Sequence, residues 1–423
     1  MCNKLKHKLL FILPLILMAG QSAQAQNTYS AYSRFGLGDL RTGNFTSNIA
    51  MGGWSLGLTD SLRLNLKNPA SAAQLKRATF MMAMNGRLVN SESGNLTQTN
   101  STAGISFIGI GFPVSDWGGL VFGLQPFSSV GYSISDMRDL DSLGNAEFLY
   151  EGFGGLNQTH VGFAAKPINN LSLGVQMNHK FGSLNRKTTV DFDSAGFYDS
   201  RINNTIRVND LSFQFGADYK QKVSEKLSLN LSLAYELAAN LNAEKERVQY
   251  TFDDRTGFEN IKDTSFYVNG LEGEMSIPAE LSFGFGIHSS DYWGFGADFK
   301  TRNWSEYQAF GESDQLANSI GLSVGGYITP NPDAVKGYMN AVTYRAGFHY
   351  NETYLNIRNN QLTDVGISFG VSLPIRRSLS QLNLGLVAGS RGTTEAGLIK
   401  ENYLNLSIGF SLNDKWFVKR TID

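Results

Sequence analysis

The segment LNLSIGF, residues 404–410, decides the fold. Its aliphatic and aromatic residues occupy every second position, and the residues between them are small or polar. Because successive side chains of a β-strand point to opposite faces, this alternation predicts a strand with one apolar and one polar face. We expect the apolar face to contact lipid: Leu404, Leu406, Ile408 and Phe410. An arginine should be tolerated better at Ser407, on the other face, than at Ile408.

The same alternation recurs along most of the chain. It predicts fourteen strands, at residues 79–91, 101–114, 119–135, 147–166, 171–189, 206–222, 226–252, 264–288, 292–306, 317–329, 340–352, 363–374, 380–391 and 401–411. Short connections, such as 167–170 and 289–291, alternate with longer ones, notably 190–205 and 253–263. That alternation is typical of outer-membrane barrels, and an even strand number puts both ends on one side of the membrane. Tryptophans near strand ends should form interfacial girdles: Trp117, Trp293 and Trp304.

The first residues predict secretion. Lys4, Lys6 and Lys8 precede a ten-residue apolar run, residues 9–18, and small residues follow at Ala23 and Ala25. This is the pattern of a secretory signal peptide, residues 1–25, and the apolar run is too short to span a membrane as a helix. Removing it would also remove the one cysteine in the sequence, so disulfides are not expected.

The remaining chain contains no second long apolar segment and no linker. A chain that spans a membrane without apolar helices must form a closed barrel, because only then is every backbone group paired in lipid. We therefore predict an all-β protein, a transmembrane antiparallel β-barrel of about 14 strands at residues 79–412, with a short charged tail at 413–423. The expected location is the outer membrane of a Gram-negative bacterium, among membrane lipids and lipopolysaccharide, with both termini periplasmic.

The alternative is a soluble all-β protein whose sheets each have one solvent-exposed face. The net charge of −1 gives no reason to expect nucleic acid as a partner.

Residues 26–78 lack the alternation. A barrel of fourteen strands is too wide to be filled by its own inward side chains, so it must be plugged or form an open pore. We predict that residues 26–78 are a hatch, or plug, inside the barrel. A disordered periplasmic tail is the alternative, but the segment contains apolar residues such as Tyr32, Phe35, Trp54 and Leu56.

Four short motifs suggest a family. They are Asn68-Pro69-Ala70 before the first strand, Gly154-Gly155-Leu156-Asn157, Tyr344-Arg345-Ala346-Gly347-Phe348, and the ending at residues 412–420. With these motifs, essentially the whole mature chain resembles the FadL/TodX family of outer-membrane transporters of hydrophobic compounds, particularly its divergent branch in Bacteroidetes. The resemblance implies a monomeric barrel plugged by a hatch. One departure is that the chain ends on a charged tail after Phe417 instead of on an aromatic residue.

No catalytic or metal site is predicted. Two stretches match the nucleophile pattern G-x-S-x-G, at residues 321–325 and 366–370, but both lie inside predicted strands, whereas the motif needs a sharp turn into a helix. The mature chain has four histidines without the spacing of a metal site; His160, His288 and His349 should face inward and His179 outward. We expect no cofactor and no enzymatic activity.

Pro126 lies in the middle of a predicted strand. Proline lacks an N–H and is normally excluded from interior strands, and every strand of a closed barrel is interior. A kink without functional meaning is one interpretation. The other is a lateral gap in the wall, because the resemblance implies sideways release of ligand at a kink in the third strand.

Passive uptake of hydrophobic small molecules, either fatty-acid-like or aromatic, with lateral exit through the wall is the preferred hypothesis. Apolar residues of the loops and the hatch should line the ligand pocket. The alternative is a barrel that does not transport and acts as a subunit or shuttle of an outer-membrane secretion or assembly complex, in which case other outer-membrane proteins are its partners. A general porin is disfavoured because the hatch would close its channel.

Overall fold

The computed structural model describes residues 28–141, 144–193, 196–255, 257–289, 292–334 and 336–416. The predicted signal peptide lies outside these residues, as does most of the predicted tail. In the described residues, helical structure is limited to an α-helical turn at Thr46–Ile49 and to 3₁₀ turns at Ala31–Arg34, Pro69–Gln74, Trp304–Glu306, Tyr338–Ala341 and Glu395–Gly397. Within the described ranges, no helix is long and apolar enough to cross a membrane.

Nineteen strands form one antiparallel sheet. The first ten are β1 (Asp39–Leu40), β2 (Ala78–Ser93), β3 (Leu96–Ser115), β4 (Gly118–Pro126), β5 (Ser128–Asp139), β6 (Asn145–Ile168), β7 (Leu171–Phe192), β8 (Asp199–Lys222), β9 (Ser228–Glu236) and β10 (Ala239–Asp253). The others are β11 (Asn260–Ile277), β12 (Glu280–Ser289), β13 (Trp293–Arg302), β14 (Gln308–Ala309), β15 (Ser319–Ile328), β16 (Thr343–Ile357), β17 (Asn360–Pro374), β18 (Gln381–Arg391) and β19 (Lys400–Asp414).

The sheet closes into a barrel because its last strand pairs with its first long one. β19 pairs with β2 from Lys400↔Glu92 to Asp414↔Ala78. The wall has fourteen strands when the broken pairs β4–β5, β9–β10 and β11–β12 each count as one and the two-residue strands β1 and β14 are set apart. The prediction of a fourteen-stranded antiparallel barrel is confirmed.

The alternation of side chains has the predicted direction. On β19 the apolar residues lie on the outer surface: Leu404, Leu406, Ile408 and Phe410 are 39–51% exposed. Ser407 points inward but is buried, with its Oγ 2.7 Å from Oγ1 of Thr46. A larger side chain at Ser407 would have to displace Thr46, so the lumen there is not open, as the expected tolerance of an arginine had assumed.

Several strands are longer than a membrane requires. A transmembrane strand needs about 9–11 residues, whereas β6, β7 and β8 have 24, 22 and 24. They continue beyond the apolar band at the end that carries residues 193–198 and 303–318, here called the long-loop end. The opposite end, with residues 116–117 and 169–170, is the short-turn end. The long loops predicted at 190–205 and 253–263 are therefore partly strand, and the connections shrink to 193–198 and 254–259.

Two of the three tryptophans assigned to girdles lie on the outer surface. Trp117 and Trp293 are exposed at the short-turn end. The assignment of Trp304 is wrong: its side chain is buried in an apolar cluster at the long-loop end, beside Tyr307 and Tyr354. Parity along the strand could not reveal this, because Trp304 follows the last residue of β13 and the chain turns inward there.

The N-terminal segment, residues 28–77, packs against inward-facing wall residues at two levels. At the long-loop end its Tyr32 and Leu37 join wall and loop residues in one apolar cluster. Nearer the short-turn end Phe45, Leu64 and Leu66 pack with wall residues in a second cluster. The segment thus crosses most of the height of the barrel before β2 begins.

Candidate functional site

The wall is interrupted beside β4 and β5. On one edge both strands pair with β6. On the other edge, β3 pairs with β4 only from Ser115↔Gly118 to Ile108↔Leu124. Within the described part of the chain, residues 96–107 of β3 have no strand partner on this side. The result is a gap in the wall between residues 96–107 of β3 and strand β5.

Pro126 lies at the corner of this gap. It is the last residue of β4, and it pairs with Asn157 of β6. The next residue, Phe127, donates its N–H to the carbonyl of Leu156 at 2.8 Å, toward β6. Because neighbouring backbone groups of a strand point to opposite edges, the nitrogen of Pro126 points toward β3. The residue that cannot donate therefore lies where the ladder with β3 ends, next to Leu124.

Two glycines of β6 lie opposite the break. Gly154 and Gly155 have φ angles of +107° and +146°, which other residues rarely adopt. A Cβ added to Gly155 would lie 2.4 Å from the carbonyl oxygen of Ser128. β6 can therefore follow β5 as it departs from β3. Both glycines belong to the motif Gly154-Gly155-Leu156-Asn157, one of the four motifs that suggest the family.

The N-terminal segment covers the edge of β5 that β3 leaves free. Strand β1 pairs with it through Asp39↔Ser129 and Leu40↔Ser128. Further hydrogen bonds run from Ser30 N–H to the carbonyl of Gly131 at 2.8 Å and from Arg41 N–H to the carbonyl of Phe127 at 2.9 Å. The segment thus supplies the backbone partners that β5 would otherwise find in the wall.

A buried ion-pair network holds this segment to β18 and β19, on the other side of the β2–β3 pair. Arg391 of β18 lies 2.8 Å from Asp39 and 2.6 Å from Glu401 of β19, and Ser30 donates to Glu401 at 2.5 Å. Burial alone would raise the pKa of Asp39, but the guanidinium of Arg391, together with Arg87 and Arg41, lowers it to about 2. Asp39 therefore stays ionised and paired at neutral pH.

A second anchor uses a wall carboxylate and the backbone. Asp298 of β13 accepts hydrogen bonds from the N–H groups of Ser55 at 2.6 Å, Leu56 at 2.8 Å and Gly57 at 3.1 Å. Three N–H groups around one carboxylate are charge-assisted bonds and fix both position and direction of the segment.

The Asn68-Pro69-Ala70 motif makes a third anchor, near the short-turn end. Asn68 caps the 3₁₀ turn at Pro69–Gln74 by accepting from Ala70 N–H at 3.0 Å, and its amide donates to Asp218 of β8 at 2.5 Å. A Cβ added to wall residue Gly174 would lie 2.4 Å from the backbone of Pro69. The motif therefore packs directly on the backbone of the wall, where only glycine leaves room.

A cavity of about 250 Å³ lies between the segment and the wall. It touches Pro126 and the stretch of β3 from residue 102 to 106, so it borders the gap. Its other lining residues are mostly polar or charged, among them Arg41, Lys67, Arg87, Glu280, Asp298 and Lys300. The apolar residues of the loops and the segment, which were expected to line the pocket, instead pack against each other in the cluster at the long-loop end. These lumenal charges were not predicted, although the sequence carries one signal of them: Asp298, Lys300 and Arg302 recur at every second position of β13.

The histidines and the G-x-S-x-G serines, for which no catalytic or metal site was predicted, lie on the strands of the wall. His160 and His288 are buried on the inner face, and His349 contacts the hydroxyl of Tyr403 at 3.1 Å on the same face. His179 instead pairs with Asn209 on the outer face at 2.6 Å. The serines of the G-x-S-x-G matches lie inside β15 and β17, and Ser368 accepts the N–H of Gly52 at 2.6 Å. Across the described ranges, no three metal-ligating side chains are grouped together.

Comparison with known proteins agrees with this architecture. The family model described as BamG matches residues 5–423. No curated protein matches the sequence. Among solved structures, the toluene transporter TodX of Pseudomonas putida is 15% identical with a TM-score of 0.58, over 89% of this chain and 100% of that one. The Ralstonia pickettii toluene transporter TbuX is 14% identical with a TM-score of 0.56, over 88% and 98%. A Pseudomonas aeruginosa FadL homologue is 13% identical with a TM-score of 0.54, over 87% and 97%. At these identities the likeness establishes a shared fold, as the resemblance to the FadL/TodX family implied.

Proposed function

The chain belongs to the BamG family, and from this premise we propose that it is an outer-membrane barrel that passes hydrophobic small molecules between its lumen and the bilayer through the gap beside β3. Residues 26–78 act as the hatch that blocks free flow through the barrel, and both termini face the periplasm. Among the solved structures with the same fold, TodX and TbuX are described as toluene transporters and CymD as a monoaromatic hydrocarbon channel, which supports a non-enzymatic transport role.

The observation that carries the proposal is the free edge of β3 next to the cavity. The cavity touches the inward-facing Thr102 and Gly104 and also the outward-facing Ala103 and Ile105. It therefore reaches around the edge of the strand from the lumen to the outer surface. A continuous wall would have separated the two faces.

Filling the gap tests this role. Thr102 lines the cavity, whereas its neighbour Ser101 lies on the lipid face opposite Leu88. We expect Thr102→Phe to lower uptake of a radiolabelled fatty acid or aromatic hydrocarbon by cells that depend on this barrel. Ser101→Phe adds the same ring on the other face and should leave uptake near the wild-type rate. Equal uptake by the two variants, at equal amounts of folded barrel, would exclude the gap as the route.

A second candidate is a barrel that serves as a subunit of an outer-membrane complex. Strands β10 and β11 continue past the apolar band at the long-loop end, and β11 carries exposed apolar side chains there, including Ile261, Tyr267 and Leu271. Apolar side chains exposed together outside the membrane are typical of protein-binding surfaces.

Purification from native membranes separates the two candidates. A barrel that co-purifies with lipid alone supports transport, and a stoichiometric partner protein supports the complex. If a partner is found, Ile261→Ser with Tyr267→Ser should release it. Met339→Ser, which removes an exposed apolar side chain at the short-turn end, should not.

A further inference from the structure

The acidic residues of the cavity are already engaged. Asp39 pairs with Arg391 at 2.8 Å, and Glu280 lies 3.3 Å from Arg302. Asp298 holds three backbone N–H groups, and Asp364 accepts the hydroxyl of Tyr403 at 2.6 Å. None of these carboxylates is left to neutralise a further cation by direct contact.

Three cations of the same cavity have no such partner. Lys67, Arg87 and Lys300 line the cavity, and within the described residues none of them forms an ion pair. Arg87 stacks on the ring of Tyr403 at 4.4 Å, but its Nε is buried without a hydrogen-bond acceptor. The carboxylates nearest to them, Glu280 and Asp39, act on them only at longer range. With five cations and four carboxylates in its lining, the cavity can accept an anion in direct contact with these three side chains.

Uncharged polar groups beside the free edge are also unsatisfied. The side-chain oxygens of Asn44, Asn85, Ser106 and Asn405 are buried and make no hydrogen bond in the described structure, and all four residues line the cavity. Buried polar atoms are normally paired, so these four oxygens are acceptors that water or a polar molecule in the cavity can satisfy.

The cavity opens at the level of the apolar band. Met84 of β2 pairs with Ile408 on one side and with Ile105 on the other, and all three side chains are exposed on the outer surface. Ile105 also borders the cavity. A polar cavity with three cations that form no direct ion pair therefore meets the hydrocarbon region across the free edge of β3. This geometry suits a molecule with an anionic head and apolar tails.

We propose that the cavity binds the phosphate-bearing, net anionic headgroup of a membrane lipid that enters sideways through the gap while its acyl chains stay in the bilayer. The inference rests on the proposed function only in requiring that the gap be open to the membrane. Lys67, Arg87 and Lys300 supply the charge for the phosphate, and Asn85, Ser106 and Asn405 supply polar contacts at the entrance. The cargo class is thereby narrowed from any hydrophobic compound to an anionic amphiphile.

Lipid retention tests this inference on the whole barrel. The barrel is reconstituted into vesicles of phosphatidylcholine with phosphatidylglycerol and extracted, and native mass spectrometry measures which lipid stays bound. We expect phosphatidylglycerol to be enriched. The variant with Lys67→Gln, Arg87→Gln and Lys300→Gln should lose roughly tenfold or more of that enrichment, as expected when charge-assisted contacts are removed. A control that neutralises three surface cations with partners, Arg138→Gln, Arg207→Gln and Arg255→Gln, should retain it.

Folding and the source of the phosphate are controlled separately. Arg87→Lys keeps the charge and should keep the enrichment, and heat-modifiable gel mobility shows that each variant is folded. Inorganic phosphate is tested alone by the broadening of its ³¹P resonance. Broadening that depends on the three cations, without retention of phosphatidylglycerol, would overturn the lipid assignment in favour of a free anion. Equal retention by the triple variant and the wild type would overturn the site itself. If the triple variant retains as much phosphatidylglycerol as the wild type while Thr102→Phe still lowers uptake, the transport role is supported and the headgroup site is rejected.

Discussion

The two edges of the β2–β3 pair end in different ways. β2 joins β19 over fifteen residue pairs, and this seam closes the barrel. β3 joins β4 over seven pairs and leaves the rest of its 20 residues open on that side. Unpaired backbone groups in hydrocarbon cost several kcal/mol each. The seam shows that this chain can build a complete ladder at the same depth, so we infer that the open edge is specified locally, by Pro126 and by the glycines opposite it. Closure of the barrel and continuity of its wall are separate properties.

The largest effect should come from the link between the seam and the gap. Arg391 in the seam region holds Asp39, whose strand covers the free edge of β5. Arg391→Gln leaves two buried carboxylates without their cation and should destabilise the barrel by about 3–5 kcal/mol. Denaturant titration of the barrel in vesicles measures this. Arg207→Gln, which removes an exposed pair with Glu246, should change stability by about 1 kcal/mol or less. If Arg391→Gln lowered the free energy of unfolding as little as Arg207→Gln does, the seam and the gap would not be coupled.

The next effect compares two positions at one depth. Ile408 and Ile105 flank Met84 on the same level of the wall, one in the seam strand and one at the gap. Ile408→Arg should cost about 2–4 kcal/mol, because its guanidinium would lie in lipid. Ile105→Arg should cost clearly less, since its side chain can reach the polar cavity around the free edge. The same titration compares them, and equal costs would show that the wall beside Ile105 is sealed.

A smaller effect is expected at the corner of the gap. Pro126→Val restores a backbone N–H that points toward β3, so one more ladder bond can form, worth about 0.5–1.5 kcal/mol. Uptake of a hydrophobic probe should fall because the gap narrows, while the amount of folded barrel stays the same. Wild-type uptake by the Val variant would contradict lateral passage at this corner.

The smallest effect is a dependence on acid. Because the folded-state pKa of Asp39, about 2, lies below its ordinary value of 3.8, its ionisation stabilises the folded protein above about pH 4. That stabilisation is lost as the pH falls from about 4 toward 2. Pepsin should therefore cut the N-terminal segment faster at the lower end of this range. Asp39→Asn should remove the pH dependence in that window, and an unchanged slope in the variant would assign it to other carboxyl groups.

The wall could be predicted from the sequence because a strand repeats a simple rule. One face of each strand meets lipid, so the apolar residues of segments such as 404–410 recur at every second position, and both direction and strand number follow. The length of β6, β7 and β8 did not follow, because pairing continues above the membrane, where the alternation fades. Pro126 could be recognised from the sequence because proline lacks the N–H that an interior strand donates to its neighbour.

The interior could not be predicted in the same way. Its contacts join residues far apart in the chain, as between Asp298 and Ser55 or between Gly174 and Pro69. Whether an inward residue is small or charged depends on which residue of the N-terminal segment lies opposite it. The periodicity of the strand sequence contains no information about that contact. Ser407 is the clearest case. The alternation predicts that its side chain points inward, but not that its Oγ lies 2.7 Å from Oγ1 of Thr46.

The path of residues 28–41 constrains how the protein is assembled. These residues are bonded to β5 and to Arg391 inside the lumen, yet they precede every wall strand in the chain, and the barrel is sealed by its first long strand meeting its last. After β2 and β19 have joined, the segment would have to thread into a closed barrel and make its contacts with Asp218 and Asp298 from inside. We therefore expect the N-terminal segment to be in place before the last strand pairs, which is also the order in which these parts follow each other in the chain.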